Sequence, residues 1–187
     1  VTACDLSADM LQAVAATARE RGLGNVGTAQ AAAEALPFES GSFDFLGRRY
    51  SAHHWRDFEG GLREARRVLR AGAAAVFIDA FAPGQALLDT HLQAVELLRD
   101  TSHVRDYSQA EWTGALGRAG LAPQRLATWR IRMDFPVWVA RMNAPPDNRT
   151  MIRHLQAVAS DEVKRHFAIE ADGSFLLDVM LVEARAE

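Results

Sequence analysis

Acidic and histidine side chains lie at or just beyond the ends of three predicted strands. Asp5 ends the first apolar run, the pair His53 and His54 follows a second strand, and Asp79 lies near the end of a third. In parallel α/β sheets, ligands bind at the carboxyl ends of the strands. A carboxylate there can accept hydrogen bonds from two ribose hydroxyls, and an imidazole can move a proton near neutral pH. The pattern predicts a ligand site at this edge, although a turn role for Asp5 fits equally well.

The other polar candidates each allow two interpretations. Asp79 could bind a polar group of a substrate or only cap the next turn. His103 could act as a base, or it could cap a helix or pair with Asp100 or Asp106. Arg105 could hold an acidic group of a substrate, whereas an exposed ion pair with Asp106 would contribute little stability.

Short strands and helices alternate in the first half of the chain. The predicted strands cover residues 1–5, 26–30, 43–47 and 73–80. Ser7 can cap the first helix, which Gly22 stops, and Gly72 is expected to end a helix over 62–69. This alternation indicates an α/β fold with a doubly wound, mostly parallel sheet and helices on both faces.

The second half differs, although we expect residues 1–187 to form a single domain. Its predicted helices cover 84–101 and 109–119, and its predicted strands cover 126–133 and 175–182. Between the two strands lies an insertion over residues 134–172, with two predicted helices. We expect it to form a cap, with a helical lid that excludes water from the site.

Large aromatic residues are concentrated around this insertion. If Trp112, Trp129, Phe135 and Trp138 converge, they form a flat apolar pocket that suits an aromatic or lipid-like acceptor, with Trp138 in contact with the substrate. The alternative is that they form the core of the cap, since large aromatic side chains dominate cores.

Composition narrows the function classes. A net charge of -3 gives no basic field for nucleic acid, and no apolar stretch reaches the roughly 20 residues that span a membrane. The single Cys4 cannot form an internal disulfide, which fits a cytoplasmic protein. We expect no metal site.

Five segments occur in one order: Asp5 with LSADML, AEALPF with SFDF, RRYSAHHW, EARRVLRAGAA, and VFIDAFAP. From residue 1 to about 143 the chain resembles class I S-adenosylmethionine-dependent methyltransferases, close to the ubiquinone/menaquinone biosynthesis group. The resemblance implies a Rossmann-like fold with an antiparallel last strand. It also implies S-adenosylmethionine as cofactor and methyl transfer to a small molecule.

The resemblance assigns the cofactor side of the site to seven residues: Asp5, Leu6, Met10, Ala32, Ala33, Glu34 and Arg48. Asp5 would bind the ribose hydroxyls, Leu6 and Met10 would pack on the adenine, and Ala33 and Glu34 would line its edge. Arg48 would begin the segment that lies beside the methionine moiety.

The same resemblance places the catalytic side in the paired histidines. His53 or His54 would face the methyl group or the substrate, and we expect His54 to be the base if the acceptor must lose a proton. Alignment of the reacting atoms can supply on the order of 7–11 kcal/mol of the barrier reduction.

The chain also departs from the family pattern. The glycine-rich loop and the first strand that precede Asp5 in the family are absent, and Ala32 replaces an acid that accepts from the adenine amino group. The family's Pro-Gly-Gly turn reads Ala71-Gly72-Ala73. We expect protein upstream of Val1 to supply the missing strand, with a domain-swapped homodimer as the alternative.

Other function classes remain open at this stage. A methyltransferase-like protein that binds a ligand without catalysis is favoured by the three alanines at 32, 71 and 73. A nicotinamide-dependent oxidoreductase also fits Asp5 after a strand, but it gives the histidine segment no role. The acidic balance and the predicted cap disfavour a nucleic acid or a protein as acceptor.

Overall fold

The computed structural model of the protein describes all 187 residues and contains two groups of strands. The first group pairs β1 (Thr2–Asp5) with β2 (Gly27–Gln30) in parallel. The second has the order β3 (Phe43–Arg49), β4 (Leu69–Ala80), β6 (Phe175–Ala186) and β5 (Leu121–Met133). β3 and β4 are parallel, and β6 runs antiparallel to both of its neighbours. The predicted α/β class and the antiparallel last strand are confirmed.

Seven α-helices connect the strands. They are α1 (Ala8–Glu20), α2 (Phe58–Val68), α3 (Ala86–Arg99), α4 (Gln109–Arg118), α5 (Phe135–Arg141), α6 (Pro146–Val158) and α7 (Asp161–His166). A short 3-10 turn spans Ala52–His54. The Ser7 hydroxyl accepts from the Met10 N–H, which confirms the predicted cap of α1. None of the helices has the length and apolar character needed to cross a bilayer.

The prediction that Gly72 ends a helix is wrong. Helix α2 ends at Val68, and β4 begins at the next residue, Leu69. Leu69 pairs with Phe43 of β3 and is buried in the core, so strand pairing and burial determine its backbone conformation. Gly72 lies inside β4 with a φ of 76°, a conformation that glycine adopts without steric cost.

Two hydrophobic cores lie in the structure. One packs α2 and α4 against the sheet and includes Leu62, Phe77 and Trp112. The other packs the inserted helices against α3 and includes Trp138 and Phe167. The insertion contains three helices, α5 to α7, rather than the two predicted, and they cover α3.

Each of the strands β1, β2, β3 and β5 pairs with one neighbour only and therefore has an open edge. β1 pairs only with β2, and β3 pairs only with β4. An open edge presents backbone N–H and C=O groups without strand partners. Phe45 of β3 is an exposed aromatic residue beside this edge. The strand that we expect protein upstream of Val1 to supply stays a prediction.

Candidate active site

The ends of β1 and β2 bring the predicted cofactor residues together. Asp5 is in register with Gln30, and the Ala31 N–H donates to the Asp5 carbonyl at 3.1 Å. The Gln30 side-chain amide donates to the Leu6 carbonyl at 3.0 Å. Parallel pairing therefore places the loop that begins at Ala31 beside Asp5, as the sequence predicted.

The carboxylate of Asp5 has one occupied and one free oxygen. Its Oδ1 accepts from the Ser7 N–H at 2.8 Å, and its Oδ2 has no partner in the chain. Asp5 thus holds a turn and still offers an acceptor. Leu6 and Met10, which follow it, are 69% and 56% exposed, so an apolar surface lies next to a free carboxylate oxygen.

The loop after β2 offers unpaired backbone donors. The N–H groups of Ala33 and Glu34 donate to no group in the chain, whereas the Ala32 carbonyl accepts from the Ala35 N–H. The ends of β1 and β2 therefore offer a free carboxylate oxygen, an apolar surface and free N–H donors. The acceptor for its amino group is absent from position 32, because alanine has only a methyl group there.

Glu34 has a structural role through its side chain. Its Oε1 accepts from the N–H groups of Arg56 at 2.8 Å and Asp57 at 3.2 Å. These two residues immediately precede α2. Oε1 of Glu34 thus fixes the loop after β2 against the segment that follows the histidines, whereas its backbone N–H and its Oε2 have no partner in the chain.

Asp79 organises the other side of the site. It is 1% exposed and pairs with the Arg48 guanidinium, and it accepts from the N–H groups of Ala52 and Ala80, both at 3.0 Å. Its Oδ1 lies 2.7 Å from Nδ1 of His53. Burial would raise the pKa of Asp79, but the Arg48 charge and the His53 contact hold it below the ordinary value. The carboxylate is buried and holds the turn after β3, and its expected contact with a substrate stays a prediction.

The parallel register of β3 and β4 explains this cluster. Arg48 is paired with Phe77 and Arg49 with Ile78, so the segment after β3 passes over the end of β4. The Arg48 side chain is 8% exposed, donates to the Ser51 hydroxyl at 3.1 Å and lies over the Trp55 ring. The guanidinium is therefore buried and held by groups of the protein, and its expected place beside the methionine moiety stays a prediction.

The three predicted histidines lie together but differ in surroundings. The ring centroid of His53 lies 4.2 Å from that of His54 and 5.9 Å from that of His103. His54 Nδ1 is 3.1 Å from the Ser102 carbonyl, and its pKa is lowered by burial and by the charge of His53.

His103 is a buried member of the group. Its Nε2 lies 2.8 Å from the Gln93 side-chain oxygen, and its Nδ1 is buried without a partner. Burial, followed by the charges of His53 and His54, lowers the pKa of His103 to about 4. The helix-capping and ion-pair alternatives for His103 are not what the structure shows, and neither ring nitrogen is free for a substrate.

Arg105 and Trp138 lie outside the histidine cluster. Arg105 pairs with Asp89 at 2.9 Å and Glu111 at 3.3 Å rather than with Asp106, so its charge is already compensated. Trp138 is 1% exposed and packs edge-on against Phe175 in the core of the insertion. The aromatic residues therefore do not converge on an open pocket, and the core alternative describes Trp112 and Trp138 correctly.

Two residues of the site were missed from the sequence. Tyr50 has a φ of 51°, which is unusual for a bulky residue, and its half-exposed side chain lies at the same sheet edge. Its place inside RRYSAHHW was an available signal. Asp106 is buried, and its Oδ2 has no partner. Burial and the nearby Glu96 raise the pKa of Asp106 well above its ordinary value, and no sequence signal indicated this.

The relatives of the chain agree with this arrangement. Residues 1–77 match the methyltransferase domain family. The uncharacterized protein YafE of Escherichia coli is 45% identical over 184 residues, covering 98% of this chain and 89% of YafE. YcgJ of Bacillus subtilis, named an uncharacterized methyltransferase, is 34% identical over 185 residues, covering 96% of this chain and 73% of YcgJ. The chain belongs to the class I methyltransferases.

The fold of this methyltransferase agrees with that family. The crystal structure of YcgJ matches it with a TM-score of 0.94 and 32% identity, covering 100% of this chain and 82% of that one. A more local likeness links it to UbiE of Shewanella, a ubiquinone/menaquinone biosynthesis C-methyltransferase, with 33% identity over 89 residues, 47% of this chain and 36% of UbiE. The resemblance predicted from the ordered segments is confirmed.

Proposed function

We propose that this methyltransferase transfers a methyl group from S-adenosylmethionine to a small-molecule acceptor at the carboxyl edge of its sheet. One observation carries the proposal. The free Oδ2 of Asp5 and the free N–H groups of Ala33 and Glu34 lie on adjacent strand ends. Glu34 joins that loop to the segment that follows the histidines.

The chain's own residues would divide the work between two sides. Asp5 would accept from the ribose hydroxyls, Leu6 and Met10 would cover the adenine, and the backbone of Ala33 and Glu34 would donate to its ring nitrogens. The absent acid at position 32 would cost about 1–3 kcal/mol of affinity. When bound, the sulfonium cofactor supplies an electrophilic methyl group.

The histidine side would orient the acceptor and accept its proton. His53 and His54 are the candidates, because each has a ring nitrogen, Nε2, that makes no hydrogen bond within the chain. A positioned base contributes typically 10²–10⁴-fold to a rate. The unpartnered nitrogen of His103, Nδ1, is buried, so we do not assign this residue to proton transfer.

An aromatic or lipid-like acceptor is proposed from the relatives rather than from the tryptophans. The likeness to UbiE, a ubiquinone/menaquinone biosynthesis C-methyltransferase, covers 47% of the chain and supports this acceptor class. Trp112 and Trp138 are in the two cores, so they lend this acceptor class no support. The net charge of -3 fits a small acceptor better than nucleic acid.

Calorimetry with S-adenosylhomocysteine tests the cofactor assignment. We expect micromolar binding, and Asp5→Asn should weaken it about 10- to 100-fold, since a hydrogen bond to a charged acceptor contributes about 1.5–3 kcal/mol. Asparagine keeps the Oδ1 that accepts from Ser7 and loses only the free acceptor. Asp9→Asn removes the same charge from an exposed position on α1 and serves as control. No binding by the folded protein, or equal losses in both variants, would contradict the proposal.

A ligand-binding protein without catalysis is the second candidate, and Ala32 favours it. Restoring an acidic residue at position 32 distinguishes the methyltransferase from the ligand-binding protein. If the loop binds adenine, Ala32→Asp should tighten S-adenosylhomocysteine binding about 5- to 100-fold, on the same hydrogen-bond energies. A protein that evolved for a different ligand would show no gain.

A further inference from the structure

We propose that Asp79 is a positioning residue, which fixes the ring of His53 so that Nε2 is the atom that takes a proton from the acceptor. The inference rests on the proposed function, since a base is needed only where a methyl acceptor loses a proton. The acceptor's proton would move to Nε2, and the electron pair left behind would form the bond to the methyl carbon. The positive charge lost by the sulfonium would then be balanced by the charge gained on the imidazole.

The hydrogen-bond pattern of His53 determines its tautomer. Asp79 Oδ1 lies 2.7 Å from Nδ1, and an ionised carboxylate can only accept. The hydrogen of the neutral ring must therefore be on Nδ1, which leaves the lone pair on Nε2. Nε2 has no partner in the chain, and it is not among the buried polar atoms that lack one. The lone pair is thus accessible from the carboxyl edge of the sheet.

Asp79 is itself held rigidly in its ionised form. Arg48 compensates its charge, and two backbone N–H groups, from Ala52 and Ala80, donate to it at 3.0 Å. Ala52 precedes His53 directly, so one carboxylate fixes both the backbone and the ring of the base. Arg48 is fixed in turn by its hydrogen bond to Ser51.

The neighbouring histidines lack this support. His54 contacts only the Ser102 carbonyl and hydroxyl at Nδ1, and its Nε2 lies 3.8 Å from Asp100, beyond hydrogen-bond reach. His103 uses Nε2 in its bond to Gln93. The structure therefore favours His53 as the base, whereas the sequence favoured His54.

The charged groups around His53 act together on its basicity. Burial lowers the pKa of His53, but the hydrogen bond and charge of Asp79 raise it above the ordinary value, and Asp106 and Glu96 act in the same direction. Asp106 acts on His53 only in its ionised form, and burial and the nearby Glu96 raise the pKa of Asp106. Arg48 opposes the protonation of His53 by like charge, and His53 and His54 disfavour simultaneous protonation of both rings. His103, with its pKa of about 4, is neutral near pH 7 and adds no charge.

Nitrogen NMR of the histidine rings tests the role of Asp79 without a substrate. In the native protein we expect His53 to carry its hydrogen on Nδ1. The double variant Arg48→Met with Asp79→Asn removes both buried charges, which avoids a lone buried cation. In it we expect a mixture of tautomers and a lower pKa of His53 than in the native protein, because the hydrogen bond and the charge of Asp79 that raise it are lost. The exposed His154 serves as internal control and should not change.

Chemical modification of the histidines provides a second, independent measurement. Diethyl pyrocarbonate acylates accessible, unprotonated imidazole nitrogens, so we expect His53 to be modified and His103 to be protected. An unmodified His53 beside a modified His154, or an unaltered tautomer and pKa in the double variant, would overturn the inference. Calorimetry with S-adenosylhomocysteine on the same samples separates the proposals. Failure of the native protein to bind would refute the function, whereas normal binding with an unresponsive His53 would refute only the role of Asp79.

Discussion

Buried His103 is expected to make the protein less stable as the pH falls from about 6.5 to 4. The residue is 8% exposed, its Nε2 contacts Gln93 at 2.8 Å, and its Nδ1 is buried without a partner. Protonation would place a hydrogen on Nδ1 where nothing accepts it. Burial and the neighbouring histidines lower the pKa of His103 to about 4 in the folded protein, against 6.5 in the unfolded chain.

The sign and size of the effect follow from proton linkage. Between the two pKa values the unfolded chain binds more protons than the folded protein, so acidification favours unfolding. The interval is about 2.5 pH units at about 1.4 kcal/mol each, which gives about 3 kcal/mol near pH 4. Above pH 6.5 this contribution to the pH dependence disappears.

Urea unfolding at several pH values measures this contribution. His103→Gln keeps a donor near the position of Nε2 but cannot titrate, so the free energy of unfolding of this variant should fall by about 2.5 kcal/mol less than that of the native protein between pH 7 and 4.5. His154→Gln is the control, since His154 is exposed on α6. Parallel curves for the native protein and His103→Gln would refute the reasoning.

Three further substitutions test the surroundings of the site. Gly61→Ala places a Cβ 2.4 Å from the Trp55 ring and should lower the free energy of unfolding by about 1–3 kcal/mol in urea, despite the better helix propensity of alanine. Because the pKa of Asp106 is raised in the folded protein, this residue should lower the stability of the native protein as the pH rises above about 4. Asp106→Asn should abolish this contribution, which thermal unfolding at pH 5 and 8 measures. Glu34→Ala removes the acceptor of two backbone N–H groups and should cost about 1–2 kcal/mol and weaken S-adenosylhomocysteine binding; Glu34→Gln, which keeps an acceptor oxygen, should lose less.

Local signals in the sequence predicted most of the elements correctly. Ser7 caps α1 because its hydroxyl reaches an N–H three residues away, and the apolar run before Asp79 forms a buried strand. The errors occur where packing overrides a local signal. Gly72 was expected to end a helix, but the strand β4 begins three residues earlier, at Leu69, which pairs with Phe43. No pattern within residues 134–172 showed that a third helix would pack on α3.

The sequence predicted which residues lie near the strand ends, but it did not predict which of these residues contact each other. Asp79 and His53 are separated by 26 residues, and only the register of β3 against β4 brings them within 2.7 Å. The sequence could place both at strand ends and could not show that one binds the other. Trp138 illustrates the reverse error, because a large aromatic side chain suits a pocket and a core equally, and the packing of α5 to α7 decides between them.

Helix α2 explains how two separate sequence motifs form one site. The loop after β2 has no regular secondary structure, yet its Leu36 N–H donates to Glu64 at 2.9 Å and its carbonyls at 36 and 38 accept from Arg67. Glu34 binds the backbone just before the same helix. Because α2 follows directly after the histidine segment, these contacts fix the distance between the cofactor loop and His53. The position of this loop relative to His53 therefore depends on the loop's contacts with α2, because the loop has no regular secondary structure of its own.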